Sequence, residues 1–178
     1  MSTARLYYRD SRLIEFTASV TGSSDGGRRV YLDRTAFYPA SGGQPHDTGT
    51  LNGIHVIEVI EEEDGRIAHV LAAPLADLAE GKTEVHGAVD WARRFDHMQQ
   101  HTGQHLLSAV LVDLYDAQTV GFHLSAEYAT IDLAVNGLDA AQIAATEARA
   151  NHIVFENRAV AVDFEDAASG PALRKPSE

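Results

Sequence analysis

The chain has 178 residues, 44% of them hydrophobic and 22% charged, a composition that supports a folded core and excludes an intrinsically disordered chain. Its formal net charge is −12, which excludes non-specific nucleic-acid binding through a generally basic surface; any RNA contact has to come from local groups such as Arg28-Arg29, Arg93-Arg94 and Arg174-Lys175. Cysteine is absent, so this chain supplies no disulfide, thiol nucleophile or thiolate metal ligand.

Residues 1 to about 90 read as a β-rich domain. Val30–Asp33 and Ile54–Ile60 are strand-like, and the second run leads through an acidic turn containing Asp64-Gly65 into Ile67–Leu71, the pattern of a hairpin. Many glycines between short strands point to a small barrel. Near Asp90 the character changes. From Trp91 to Tyr115 apolar residues recur at three- and four-residue spacing, which predicts a helix. Ala129–Val135 alternates like a half-buried strand, Asp139 is placed to cap a helix ending near Asn157, and Ala159–Phe164 reads as another strand. The tail from Ala167 has no core-forming pattern. The expectation is therefore an α+β chain with a β domain over 1–90 and an α+β domain over 91–178. The longest apolar run, Leu106–Val112, is too short to span a bilayer, and the N-terminal residues contain no signal-peptide core, so a cytoplasmic location is expected.

Two stretches carry candidate chemistry. In Asp96-His97-Met98-Gln99-Gln100-His101-Thr102-Gly103-Gln104-His105-Leu106-Leu107, His101 and His105 fall one turn apart on one helix face, about 6 Å along the axis, which lets two imidazoles converge on one ion. His97 continues the stripe but stands about 12 Å from His105, too far for all three to share a metal on a straight helix. The pattern is not that of a zinc protease, because Thr102 occupies the position of the general-base Glu. A catalytic zinc takes three protein ligands and a structural one takes four, and spacing alone does not choose a third among His46, His55, His69, His86, His123 and His152. The second stretch, Tyr38-Pro39-Ala40-Ser41-Gly42-Gly43-Gln44-Pro45-His46-Asp47-Thr48-Gly49, is a glycine loop without the Lys-Ser/Thr of a phosphate loop.

In this order, the two stretches, with Gln118–Leu124, Ala129–Leu133 and Glu156-Asn157-Arg158, resemble the alanyl-tRNA editing proteins, both the free-standing AlaX-type deacylases and the editing region of alanyl-tRNA synthetase. The resemblance implies a small N-terminal β-barrel of the translation-protein type followed by an α+β editing domain. It also implies hydrolysis of serine or glycine from alanine-specific tRNA with one zinc ion as cofactor, and alanyl-tRNA synthetase as a possible partner. Carried over by position, His101 and His105 match two zinc ligands. Thr102, Gln104 and Gln118 match polar positions at the aminoacyl group, and Gly42, Gly43 and Gln44 match a loop linked to substrate discrimination. Two positions depart from the pattern. Ser41 stands where a glycine is common, and the family's other two ligands belong to a downstream Cys-x-x-x-His that this sequence lacks. The expectation is thus a C-terminally shortened chain holding half the metal site. Its alternative is a relative that binds tRNA or a synthetase without catalysis.

Overall fold

A computed structural model describes residues 2–76, 83–125 and 127–160. The elements in chain order are β1 (Ala4–Arg5), β2 (Glu15–Ser24), β3 (Arg29–Leu32), β4 (Arg34–Thr35), β5 (Gly49–Leu51), β6 (Ile54–Glu61), β7 (Ile67–Leu71), β8 (Glu84–Val89), α1 (Trp91–Tyr115), β9 (Thr119–Leu124), β10 (Ala129–Leu133) and α2 (Ala140–Phe155). They fall into two compact units, Met1–Gln99 and Gln100–Glu178, with the division inside α1 between His97 and His101.

The first unit is a closed barrel in the order β2-β3-β7-β6-β5-β8, all of its pairings antiparallel, with β8 returning to β2. Closure leaves no free sheet edge in the barrel, and alternation along each strand sends one residue in two to the interior. Phe16, Ala18 and Val20 of β2 and Val85 and Val89 of β8 point inward in this way, joining Val30, Leu32, Phe37, Leu51, Val56, Val59, Ile67 and Leu71. Gly87 faces Phe16 across the β2–β8 ladder, and a Cβ there would stand 2.3 Å from the Phe16 ring. Only glycine leaves room for that aromatic ring. The expected hairpin is β6–β7, with Gly65 at φ 79° in its turn.

His69 is wholly buried in the barrel. Its Nδ1 lies 3.2 Å from the Val30 carbonyl, and its Nε2 lies 2.8 Å from the Thr35 hydroxyl, so a neutral imidazole donating at Nδ1 and accepting at Nε2 satisfies both contacts. Burial pushes its pKa down to about 4, partly opposed by the Val30 hydrogen bond.

The start of α1 is held in the same unit. Asp90 caps it, accepting from the Arg93 amide at 3.3 Å. One turn on, Arg94 is 3% exposed and meets Asp47, which is fully buried. The guanidinium donates from Nε to both Asp47 oxygens at 3.0 Å, from Nη2 to Asp47 and to the Ala36 carbonyl, and from Nη1 to the Ser11 carbonyl. Asp47 also accepts from the Tyr38 amide at 2.6 Å. Every charge-bearing atom of this pair is therefore hydrogen-bonded, the condition under which a buried ion pair is tolerated.

In the second unit, α1 ends at Asp116, whose φ of 52° breaks the helix, while the Ala117 amide returns to the Leu111 carbonyl. β9 and β10 form a two-stranded antiparallel sheet with an irregularity at Asp132/Leu133. Asp139 caps α2 as the sequence suggests, in a reciprocal capping box with Gln142. The expected strand over Ala159–Phe164 is irregular at Ala159 and Val160 and otherwise lies outside the described residues, as does the tail. Mixed α+β architecture with a small barrel is thus what the chain forms.

Two outcomes test this account. His69 is neutral in the fold and titrates at its ordinary value when unfolded, so the unfolded chain binds the extra proton between about pH 6.5 and pH 4. The stability present above pH 6.5 should fall by on the order of 3 kcal/mol toward pH 4, read as a declining urea midpoint that flattens in His69→Gln. Asp47→Asn, which leaves the Arg94 charge buried without its counter-ion, should cost about 3–5 kcal/mol in urea unfolding at pH 7.

Candidate functional site

The glycine loop belongs to the barrel unit. Tyr38 and Asp47 close its base by exchanging hydrogen bonds, the Asp47 amide giving 3.0 Å to the Tyr38 carbonyl. Ser41 and Gln44 bridge at the tip, amide to carbonyl in both directions at 3.1 and 2.9 Å. Between them Gly42 and Gly43 take φ 57° and 79°, a left-handed pair that explains two glycines in succession. Ser41 adopts the place of an expected glycine without strain, since no positive φ occurs there. Gln44 is buried, whereas Gly42 and Gly43 are exposed. Arg93 donates to the His46 carbonyl at 3.0 Å, so α1 holds the loop base through two successive arginines.

His101, Thr102, Gln104, His105 and Gln118 lie in the second unit. The expected histidine convergence occurs: His101 Nε2 and His105 Nε2 are 3.1 Å apart, with the rings stacked at 4.9 Å. Two nitrogens on one tetrahedral zinc, each at about 2.0–2.1 Å, stand roughly 3.3 Å apart, so the pair fits two positions of such a site. Burial, and then the neighbouring His105, lowers the pKa of His101, favouring the neutral form that a metal requires. Among the described residues no group of three His, Cys, Asp or Glu side chains is placed to hold a metal. The other histidines are engaged differently or stand apart: His69 in the barrel core, His46 on the Ile57 carbonyl, His123 facing Asp132 at 3.8 Å and His152 facing Glu156 at 3.2 Å.

Beside the pair lies an open, mainly apolar cleft of about 490 Å³, bounded by α1, β9, β10 and α2, with Phe122, Ile131 and Leu133 in its wall. Gln104 lines it, and so does Gly103, where a Cβ would meet nothing within 4 Å. The Gln104 amide nitrogen donates to Ser108 Oγ at 2.9 Å, and Ser108 Oγ lies 2.7 Å from Thr119 Oγ1. Gln118 donates instead to Asp116 at 3.3 Å, and Thr102 is exposed. Sequence reading passed over Ser108 and Thr119, although Ser108 sits one helical turn beyond Gln104. It gave no role to Asp47 in the glycine loop, and it considered Arg94 only as part of a basic pair for RNA contact.

The sequence of residues 9–93 matches the family model described as tRNA synthetases class II (A). The chain is 36% identical over 166 residues to alanyl-tRNA editing protein AlaX-M of Methanosarcina acetivorans, covering 89% of this chain and 67% of that one. It is 37% identical to AlaX-M of Methanosarcina mazei, covering 89% of this chain and 66% of that one. To AlaX-L of Pyrococcus horikoshii it is also 37% identical, covering 91% of this chain and 41% of that one. The chain belongs to the AlaX-type family of alanyl-tRNA editing proteins. It spans from about two-fifths to two-thirds of the length of these relatives.

Titrating zinc into the purified chain tests the histidine pair. The wild type should take up zinc with release of protons as pH falls toward the histidine range, and His101→Ala and His105→Ala should each abolish uptake. Equal uptake by all three proteins would remove the pair from the site.

Proposed function

We propose that the chain takes part in hydrolytic editing of mischarged alanine-specific tRNA, releasing serine or glycine from its ester. The observation behind this reading is the convergent Nε2 pair of His101 and His105 in a chain of the alanyl-tRNA editing family. These two side chains would hold zinc with further ligands from beyond the described residues. Zinc bound there would polarise the ester carbonyl and lower the pKa of a bound water toward 7.

The remaining roles fall to the chain's own polar groups. Gln104 lines the apolar cleft and would orient the aminoacyl group, with Thr102 and Gln118 as further polar contacts. A hydroxyl on the substrate would satisfy such a group, while alanine would leave it unpaired, a difference that favours removal of serine. Gly42, Gly43 and Gln44 would act in discrimination through a loop whose base is fixed by Asp47 and Arg94. The natural setting would be the cytoplasm, with alanine tRNA as partner and alanyl-tRNA synthetase as a possible second one. No helix among the described residues is long and apolar enough to cross a membrane.

A second reading, a tRNA- or synthetase-binding module without catalysis, draws on the ligand count: among the described residues no third side chain joins the histidine pair. Deacylation of serine-charged alanine tRNA by the zinc-supplemented chain separates the two. The first reading expects hydrolysis above the spontaneous rate, little action on alanine-charged tRNA, and loss of activity in His101→Ala. Retention of tRNA in a gel-shift assay without hydrolysis would replace it with the second.

A further inference from the structure

A hydrogen-bonded chain runs from the middle of the histidine motif to the first residue of β9. Gln104 Nε2 donates to Ser108 Oγ, which meets Thr119 Oγ1 at 2.7 Å, and Thr119 is 7% exposed. Three features make it more than a surface contact. Gln104 and Ser108 are four residues apart on α1 and share a face, so the helix itself fixes their separation. Thr119 comes from a different element and is buried, so the far end is anchored by the fold. Gln104 at the near end lines the apolar cleft, and its Oε1 has no hydrogen-bond partner among the described residues.

A glutamine amide is ambiguous as a recognition group, because rotation by half a turn exchanges a donor for an acceptor. Here the nitrogen is engaged, donating to Ser108 Oγ, which itself lies 2.7 Å from Thr119 Oγ1, so the oxygen is left as the open end of the amide; bonds in such a chain polarise one another. We infer that Ser108 and Thr119 are positioning residues that hold the Gln104 amide with its carbonyl oxygen available to the cleft, so that the cleft favours a ligand group bearing a hydrogen-bond donor. Resting on the editing reading, this makes the hydroxyl of a seryl group the recognised feature and the methyl of an alanyl group the unmatched one. Phe122, Ile131 and Leu133 make most of the opposite wall apolar; of the other polar side chains on the cleft, Thr146 donates to the Gln142 carbonyl and Gln100 lies one helical turn before Gln104. Gln104 would touch the ligand; Ser108 and Thr119 act only through it.

The test uses the full chain and two non-hydrolysable probes, 3′-seryl-amino-3′-deoxyadenosine and its alanyl counterpart. The wild type should bind the seryl probe roughly five- to tenfold more tightly, the factor expected of one neutral hydrogen bond. In Ser108→Ala and Thr119→Val that ratio should fall to about one with alanyl affinity unchanged, while Thr119→Ser should keep it. A purely structural role would weaken both probes together and overturn the inference, as would variants that retain the wild-type ratio. The side-chain NH2 signals of Gln104 in ¹⁵N-labelled protein, assigned by their loss in Gln104→Glu, give an independent readout. They should be shifted and slow to exchange in the wild type and revert to free-amide positions in Ser108→Ala; free-amide signals in the wild type would overturn the relay. Binding of neither probe, with the Gln104 signals still anchored, would fell the editing reading and the seryl preference together while leaving the relay as structure. A normal probe ratio without tRNA hydrolysis would fell the catalytic reading alone.

Discussion

A single buried ion pair organises the barrel unit. Arg94 and Asp47 come from the first turns of a helix and the end of a glycine loop, stretches 47 residues apart in sequence, and neither charge is left without partners. The arginine also takes the carbonyls of Ser11 and Ala36, so one side chain gathers three separate strands of backbone around the start of α1. Its five-donor fork suits this task, whereas a lysine would supply a point charge without the fixed geometry. With the pair in place, Tyr38 and Asp47 close the loop base and the Gly42-Gly43 tip takes its left-handed turn.

Such a pair is a poor source of net stability, because desolvation offsets most of the attraction. Its effect is specificity of arrangement: a buried guanidinium tolerates few alternatives, and the hydrophobic barrel beneath supplies the free energy that holds it there. Within the barrel, His69 and Thr35 are buried polar side chains that satisfy one another and the Val30 carbonyl. That histidine shows how little its residue type says about function. Residue type alone does not separate it from His101 or His105, yet its two ring nitrogens are used up within the core, while the Nε2 atoms of the helical pair face each other. His97 differs again: it is almost fully buried, and its Nδ1 is the buried side-chain atom without a hydrogen-bond partner among the described residues.

The second unit is organised around its helix rather than a closed sheet. Two strands and two helices leave an apolar cleft open between them, and apolar side chains such as Ile143, Val154 and Phe155 stand exposed on α2. Function, on the reading proposed here, uses that opening. The histidine pair stands on one side of α1, and Gln104, tied back to Ser108 and Thr119, brings a polar group to a mainly apolar wall.

Local chemistry determined much of this before any contact was known. The 3.6-residue period marked α1 from Trp91 to Tyr115, Asp139 announced the start of α2, and Asp64-Gly65 marked the β6–β7 turn, because each depends on residues a few positions apart. The i, i+4 spacing likewise put His101 and His105 together, since an α-helix carries its own geometry. Tertiary structure alone decided the rest: that six strands close into a barrel, that Asp47 meets Arg94, that Gly87 yields space to Phe16, that Thr119 anchors Ser108, and that Gln118 turns to Asp116 rather than to Gln104. These relations join residues from different elements. Their distances are set by packing and by the need to pair every buried polar group, and no periodicity along the chain encodes them.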